Sequence, residues 1–266
     1  MMNAQVMTSS IKRVWYWRIA LIVCIVCIWH FSSGRLVNPL FISAPLDVCD
    51  RLWGLIISGK LLFHASYTAF HAIAGFALGA LAGTVLGIML GRMQRLALIL
   101  DPFLMGFYSL PKIALAPLFI LWFGVGTEMK VLFVAMIVFL LVFLNTYTGV
   151  RQVSREQVTI LRLMQASESQ ILLKVVLPSA ITWMFTGLRL SVPYALIGAI
   201  MGEMLASNRG LGYLMADATS QFDTAGAFAG LTAIIFMAVI FNAVVRVAER
   251  LAMPWKEMES ERELSF

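Results

Sequence analysis

Apolar residues in this chain come in long runs, separated by short polar clusters rather than by a polar half. A spanning helix needs about 20 predominantly apolar residues, and the pattern supplies about six such stretches. The first covers 14–31, with Trp15, Trp17 and Trp29 placed where indole rings favour the two membrane interfaces. A mixed segment with Pro39 and Pro45 follows, and its polar–apolar alternation predicts a short interfacial helix over 47–57. Between Lys60 and Arg92 there is no Asp, Glu, Lys or Arg, so a second span lies within 61–90. The third, within 96–123, is irregular because Asp101, Pro102, Pro111, Lys112 and Pro117 interrupt it. Beyond the turn Gly124-Val125-Gly126-Thr127 the fourth, 131–150, is uncharged throughout, and the last two fall near 181–205 and 225–245.

The one long polar stretch in the interior is 151–174. Residues 157–164 suit a helix, and Ser167-Glu168-Ser169-Gln170 reads as a capping box that starts a second helix at Glu168. Pro178 is expected to end it. Two short helices with a bend between them form either a knob for a soluble partner or a solvated loop.

Composition agrees with the pattern. Hydrophobic residues make up 61% of the 266 and charged ones only 13%, against about 25% charged in a soluble domain. That excludes a water-soluble enzyme and suggests one membrane domain: an N-terminal helix and outer segment (1–60), a core (61–250) with the polar loop at about 157–178, and a tail (251–266). Lys12, Arg13 and Arg18 before the apolar stretch 19–31 imitate a signal peptide, but no small-x-small cleavage site follows, so the stretch counts as a span. Orientation follows from where basic residues collect. With the N-terminus inside, the inner connections hold 13 Lys and Arg and the outer ones five, which predicts both termini in the cytoplasm.

Four candidate features carry chemistry. Gly75, Gly79, Gly83, Gly87 and Gly91 recur every four residues, so small residues line one side of the second span and admit another backbone closely, within the subunit or across a dimer contact. Lys112, Arg189 and Glu203 are ionisable groups within spans; such groups face protein or a wet cavity, either as structural pairs or as parts of a pathway or gate. Gly54 to Leu61 imitates a phosphate-binding loop, but Leu61 stands where a hydroxyl would hold Mg²⁺. Cys24, Cys27 and His30 lack a fourth ligand for a closed zinc site, and His64 and His71, seven apart, lack the carboxylates of a metalloprotease, so no metal site is expected. The two histidines are read as sitting near the outer interface or lining a polar crevice.

Leu161-Arg162-Leu163-Met164-Gln165-Ala166-Ser167, followed by Val175-Val176-Leu177-Pro178, resembles the EAA loop of binding-protein-dependent ABC importer permeases. Leu110-Pro111-Lys112, the run from Pro117 to Gly126, Thr186-Gly187-Leu188-Arg189, Gly202-Glu203-Met204-Leu205 and Arg209-Gly210-Leu211-Gly212-Tyr213 extend the likeness over about 60–250, toward the nitrate, sulfonate and taurine branch. The resemblance implies an all-α membrane protein of type I ABC importer permease architecture. It implies a non-enzymatic subunit without a cofactor of its own, since ATP is bound by a separate cytoplasmic ATPase. A periplasmic or lipid-anchored solute-binding protein, a second permease copy, most simply a homodimer, and membrane lipid complete the expected partners; nucleic acid is not among them. Arg162, Gln165, Ala166, Ser167 and Glu168 would then couple to the ATPase, and the solute would be a small anion of the sulfonate, nitrate or taurine kind, although related permeases also carry pyrimidine or vitamin precursors. Two departures stand out. Thr159-Ile160-Leu161 replaces Glu-Ala-Ala, and Gln165 occupies the position of a glycine, where a side chain strains a turn that needs positive φ. The rival class, an ion-coupled secondary transporter acting alone, would show internal repeats, and none is present.

Overall fold

The computed structural model describes the backbone of residues 2–253 and the side chains of 14–253 other than Gln94 and Arg155. Of the charges used for orientation, Lys12, Arg13, Arg155 and the tail residues Lys256 and Arg262 therefore lie outside the described side chains. Every long apolar run is helical. The order is α1 (Met2–Ser32), α2 (Pro45–Ile57), α3 (Lys60–Arg92), α4 (Gln94–Ser109), a 3-10 turn (Lys112–Leu115), α5 (Ala116–Phe123), α6 (Thr127–Arg151), α7 (Arg155–Leu163), α8 (Glu168–Ile171), a π turn (Leu172–Val176), α9 (Leu177–Ala206), α10 (Leu211–Ser220) and α11 (Thr224–Ala252). Among the described residues the only strand-like feature is an isolated bridge between Ser33 and Val37.

Among the described residues five helices are long and apolar enough to cross a membrane, and a sixth span exists if Arg95–Ser109 of α4 and the segment Lys112–Phe123, bent by 84°, count as one. The bend has a local cause. Leu110 precedes Pro111 and takes an extended ψ of 135°, since the proline ring disfavours helical backbone before it. Pro117 falls in the first turn of α5, where its missing N–H leaves no gap in the ladder.

Packing divides the chain into two units, one joining the N-terminal segment through Leu62 with Leu214–Thr232, the other joining Phe63–Tyr213 with the residues from Ala233 onward. In the first, Arg51 pairs with Asp223 at 2.6 Å, Thr224 Oγ1 donates to the Leu40 carbonyl at 2.6 Å, and the Trp29 and Phe228 rings lie 5.6 Å apart. Trp29 is thus tied down, its indole N–H donating to the Ser43 carbonyl at 3.0 Å.

In the second unit α6 is the central helix, and glycines set its neighbours' distance. A Cβ on Gly75 would meet Val134 at 2.5 Å, one on Gly83 the Phe139 carbonyl oxygen at 2.8 Å, one on Gly87 Thr146 at 2.8 Å and one on Gly91 Val150 at 2.7 Å; on Gly79 it would strike the Ala135 carbonyl. Both partners advance four residues at a time in the same direction, so α3 and α6 run parallel with a glycine ridge set into the β-branched ridge Val134, Val138, Val142, Thr146, Val150. On another side Gly149 meets Trp183, Gly187 meets Asn145 and Gly202 meets Lys130, a descending register that makes α9 antiparallel to α6. Ala72, Val134, Val138, Val142, Ala195, Leu196 and Ala199 form the buried core between these three helices. Where lipid tails are as apolar as leucine, close van der Waals contact of this kind is the cohesive force.

The polar loop departs from expectation at one point. The second short helix does not stop at Pro178; α8 passes through the π turn into α9, with Pro178 in the first turn of α9. A proline inside a regular helix orphans one carbonyl and crowds another, and the wider π turn just before it absorbs both. Helix α10 was not expected from the hydrophobic pattern.

Candidate functional site

Two clusters of polar side chains stand out, one at each end of α6. The first is the two-helix knob. Ser154 caps α7 by accepting from the Gln157 N–H at 3.3 Å. The helix ends in two hydrogen bonds, Gln165 N–H to the Arg162 carbonyl at 2.9 Å and Ala166 N–H to the Leu161 carbonyl at 3.0 Å, with Gln165 at φ +60°. These are the bonds of a Schellman motif, in which the left-handed position is usually glycine. The strained side chain expected from the sequence is therefore present, and the turn is made regardless. Ser167 then opens α8 with a reciprocal capping box, its Oγ accepting from Gln170 N–H at 3.3 Å while its own N–H donates to Gln170 Oε1 at 2.8 Å.

Beneath the knob, Val150, Ile171, Val176 and Ala180 are buried, with Val153, Val158, Leu161 and Ala166 packed against them. The exposed Glu168 carboxylate is shared by Arg162 at 3.1 Å and Arg92 at 2.8 Å, which ties the knob to the end of α3. A cavity of about 510 Å³ lies behind it, lined by Arg92, Arg151, Arg162 and Glu168 among others. The tip is apolar: Leu163 is 79% and Met164 72% exposed. Of the residues read as coupling positions, Arg162, Glu168 and Ser167 are engaged within the knob itself, Ala166 is half-buried against it, and Gln165 is exposed at the bend.

The second cluster is built around Glu203 near the end of α9. Its carboxylate is wholly buried and accepts from Thr68 Oγ1 at 2.8 Å, the Gly212 N–H at 2.9 Å and His71 Nδ1 at 2.8 Å. A buried charge is tolerable only when so satisfied. Thr68 in turn accepts from the Leu211 N–H at 2.7 Å, and His64 accepts from the Gly210 N–H at 3.1 Å, so the carboxylate pins α3, α9 and the start of α10 together. Gly210 has φ +105°, and a Cβ there would collide with the Glu203 carboxyl group, which accounts for glycine at that point of the motif. Beside the pair lies a cavity of about 210 Å³, lined by Tyr67, His71, Lys130, Ser207 and Arg209 among others. Lys130, only 3% exposed, donates to the carbonyls of Val125 and Gly126 at 3.1 and 3.2 Å.

The three intramembrane ions are not brought together: among the described residues no hydrogen bond or ion pair joins Lys112, Arg189 and Glu203 to one another. Lys112 folds back on the carbonyl of Tyr108 at 2.9 Å and over its ring, and Arg189 pairs with the largely buried Glu249. Cys24, Cys27 and His30 are exposed on α1, and Gly54, in the segment that imitates a phosphate-binding loop, lies within α2.

Thr68, Lys130 and Arg209 were missed as companions of Glu203. A signal existed: His64, Thr68 and His71 are polar at i, i+4 and i+7 in a charge-free helix, one face that needs a polar partner.

Such a bundle, broken in one span and carrying a short-helix knob, has the architecture of an ABC transporter's membrane subunit. It superposes on a chain of an inward-facing methionine ABC transporter with a TM-score of 0.53 (16% identity; 70% of this chain and 91% of that one covered). On an amino acid ABC transporter crystallised with histidines the TM-score is 0.57 (15% identity; 75% and 97% covered). Residues 83–256 match the family described as binding-protein-dependent transport system inner membrane component, and the chain belongs to that family. Among its relatives are the protein named as aliphatic sulfonates transport permease SsuC of Bacillus subtilis (32% identical; 91% of this chain and 88% of that one covered) and the riboflavin transport system permease RibX of Chloroflexus aurantiacus (34%; 86% and 85%). The taurine transport system permease TauC of Escherichia coli is 28% identical, with 85% and 84% covered. The protein is thus a multi-pass inner-membrane permease of the ABC importer family, a transport subunit rather than an enzyme.

Proposed function

We propose that this chain conducts a small anionic solute into the cytoplasm as one of two identical membrane subunits, driven by ATP that a separate cytoplasmic subunit binds and hydrolyses and supplied by an outer solute-binding protein. The observation that carries the reading is the knob. A self-sufficient transporter has no use for two capped helices that present Leu163 and Met164 to water at their bend, whereas an ATPase groove would cover them. The knob lies on the side with the more basic connections, which supports a cytoplasmic knob and a Glu203 cluster toward the outer face. An anionic solute is supported by the sulfonates and taurine in two relatives' names and by Lys130 and Arg209 beside the outer cavity. The riboflavin relative keeps the class open to test.

Ala166 packs into the knob's own apolar cluster, so a charge there would disturb the knob as well as its partner, and the exposed tip gives the cleaner test. Leu163→Glu should leave insertion and folding intact yet release the ATPase on detergent extraction, because an unpaired charge buried at an interface costs about 3–5 kcal/mol. Full ATPase retention by that variant would remove the case for the knob as the docking element. For orientation, a cysteine placed at position 162 should resist an impermeant thiol reagent added outside intact cells; labelling there would invert the topology.

A further inference from the structure

Burial and hydrogen bonding leave one group in the Glu203 cluster unused. His71 is 2% exposed, and its Nδ1 lies 2.8 Å from the Glu203 carboxylate, to which an Nδ1–H donates. Its Nε2 is buried and has no hydrogen-bond partner among the described residues. The same ring lines the 210 Å³ cavity with Lys130, Arg209 and Tyr67.

The two cations there are held in place but not used up. Lys130 Nζ has three N–H groups, of which two go to the Val125 and Gly126 carbonyls. Arg209 donates from Nη1 to the Tyr67 hydroxyl at 2.6 Å, and its guanidinium lies 5.2 Å from the Tyr67 ring centre and 5.8 Å from that of Phe63. That fixes the side chain while leaving four further N–H donors. Glu203, the one carboxylate of the cluster, is already satisfied behind His71 by three donors. The wall of the cavity therefore carries two basic side chains, Lys130 and Arg209, and a buried imidazole edge, and none of its lining residues is acidic.

We infer that this cavity binds the acid group of the transported solute, a sulfonate or similar small oxyanion, between His71 Nε2–H, Lys130 and Arg209. The inference rests on the permease reading above and adds to it the place where the solute's charge is recognised. In the proposed bound state Nδ1–H donates to Glu203 and Nε2–H to the oxyanion, the second ring proton being taken up from water as the anion enters, while the anion balances the flanking cations. A volume of about 210 Å³ is enough for an oxyanion head. The site thus reads the acid group and leaves the rest of the molecule to the path beyond.

The chain contains three histidines, so histidine-selective 15N labelling gives few signals. The experiment uses the full chain with its co-purifying ATPase in phosphatidylcholine nanodiscs, without a binding protein, and titrates methanesulfonate. The signal lost in His71→Asn, which keeps a donor near Glu203 but lacks the Nε2 edge, identifies the resonance. Methanesulfonate should shift that Nε2 signal saturably, and Arg209→Met and Lys130→Met should each raise the half-saturating concentration about tenfold. Dimethyl sulfone, of similar shape but uncharged, should not shift it. No shift with methanesulfonate in the folded chain would overturn the proposal, as would an equal shift with dimethyl sulfone. A shift that appears on adding phosphatidylglycerol to the nanodiscs, and that methanesulfonate cannot compete away, would assign the cavity to a lipid headgroup and overturn the solute reading. Failure of the ATPase to co-purify is a separate result that counts against the permease reading, since the titration can still be read on the full chain alone.

Discussion

Gln165 holds a left-handed backbone that its side chain makes unfavourable, so replacing it by glycine should tighten the knob. The residue is exposed, and the turn's two hydrogen bonds are both made by main-chain groups, so removing the side chain sacrifices no packing. An L-residue in this region costs about 1–2 kcal/mol. Glycine gives back part of that through its greater freedom in the opened chain, about 0.5–1 kcal/mol. The net gain is therefore about 0.5–1 kcal/mol against local opening, which corresponds to a slowing of roughly two- to fivefold in amide exchange. The amides to follow are those of Gln165 and Ala166, which donate to the Arg162 and Leu161 carbonyls, in hydrogen-exchange mass spectrometry of wild type and Gln165→Gly. Gln165→Val is the opposing control: a β-branched side chain at positive φ should speed the same exchange. If Gln165→Gly exchanges as fast as wild type at these two amides, or faster, the strain is not where the backbone puts it. Tighter docking of the ATPase should accompany the slower exchange, because less order has to be imposed on binding.

Gly83→Leu should prevent recovery of folded protein, because the added Cβ would stand 2.8 Å from the Phe139 carbonyl oxygen and 2.9 Å from the Phe143 nitrogen, backbone atoms that cannot swing aside; overpacking of this kind costs about 3 kcal/mol or more. Wild-type yield and elution in size-exclusion chromatography would show that α3 does not need its close approach to α6. Glu203→Leu keeps a side chain of similar bulk but leaves Thr68, His71 and Gly212 without their shared acceptor, so the thermal unfolding midpoint should fall by an amount equivalent to about 3 kcal/mol. An unchanged midpoint would mean that the carboxylate is not the group joining Thr68, His71 and Gly212.

Most of the fold was legible because spanning helices announce themselves one at a time. A run without Asp, Glu, Lys or Arg between Lys60 and Arg92 needs no knowledge of its neighbours to be read as a helix, and α3 fills it end to end. The glycine period was legible too, and α6 carries its counterpart, β-branched residues at the same four-residue step. What failed was the treatment of proline as a stop. Pro178 is a stop for a regular helix, but the π turn Leu172–Val176 changes the local ladder so that helix α9 starts through it. Nothing in a propensity argument distinguishes those cases; Val176 and Ala180, on either side of the proline, are buried in the cluster beneath the knob.

The site at Glu203 was legible only in part, for the opposite reason: it belongs to no single helix. Glu203 could be singled out because a carboxylate within a span has to be satisfied. Its partners come from 132 to 135 residues away on α3 and from nine residues further on, at Gly212, and only the packing of α3 and α9 on α6 brings them within reach. Lys130 illustrates the point most sharply. Beside the turn Gly124 to Thr127 it reads as an ordinary outer-loop cation, yet it is 3% exposed, because Gly202 of α9 leaves room for its aliphatic stem, with a Cβ there only 3.2 Å from Lys130 Cγ. The same small residue that lets α9 approach α6 thus gives the lysine stem its room inside the protein, and the polarity of the cavity depends on helix packing as much as on which side chains line it.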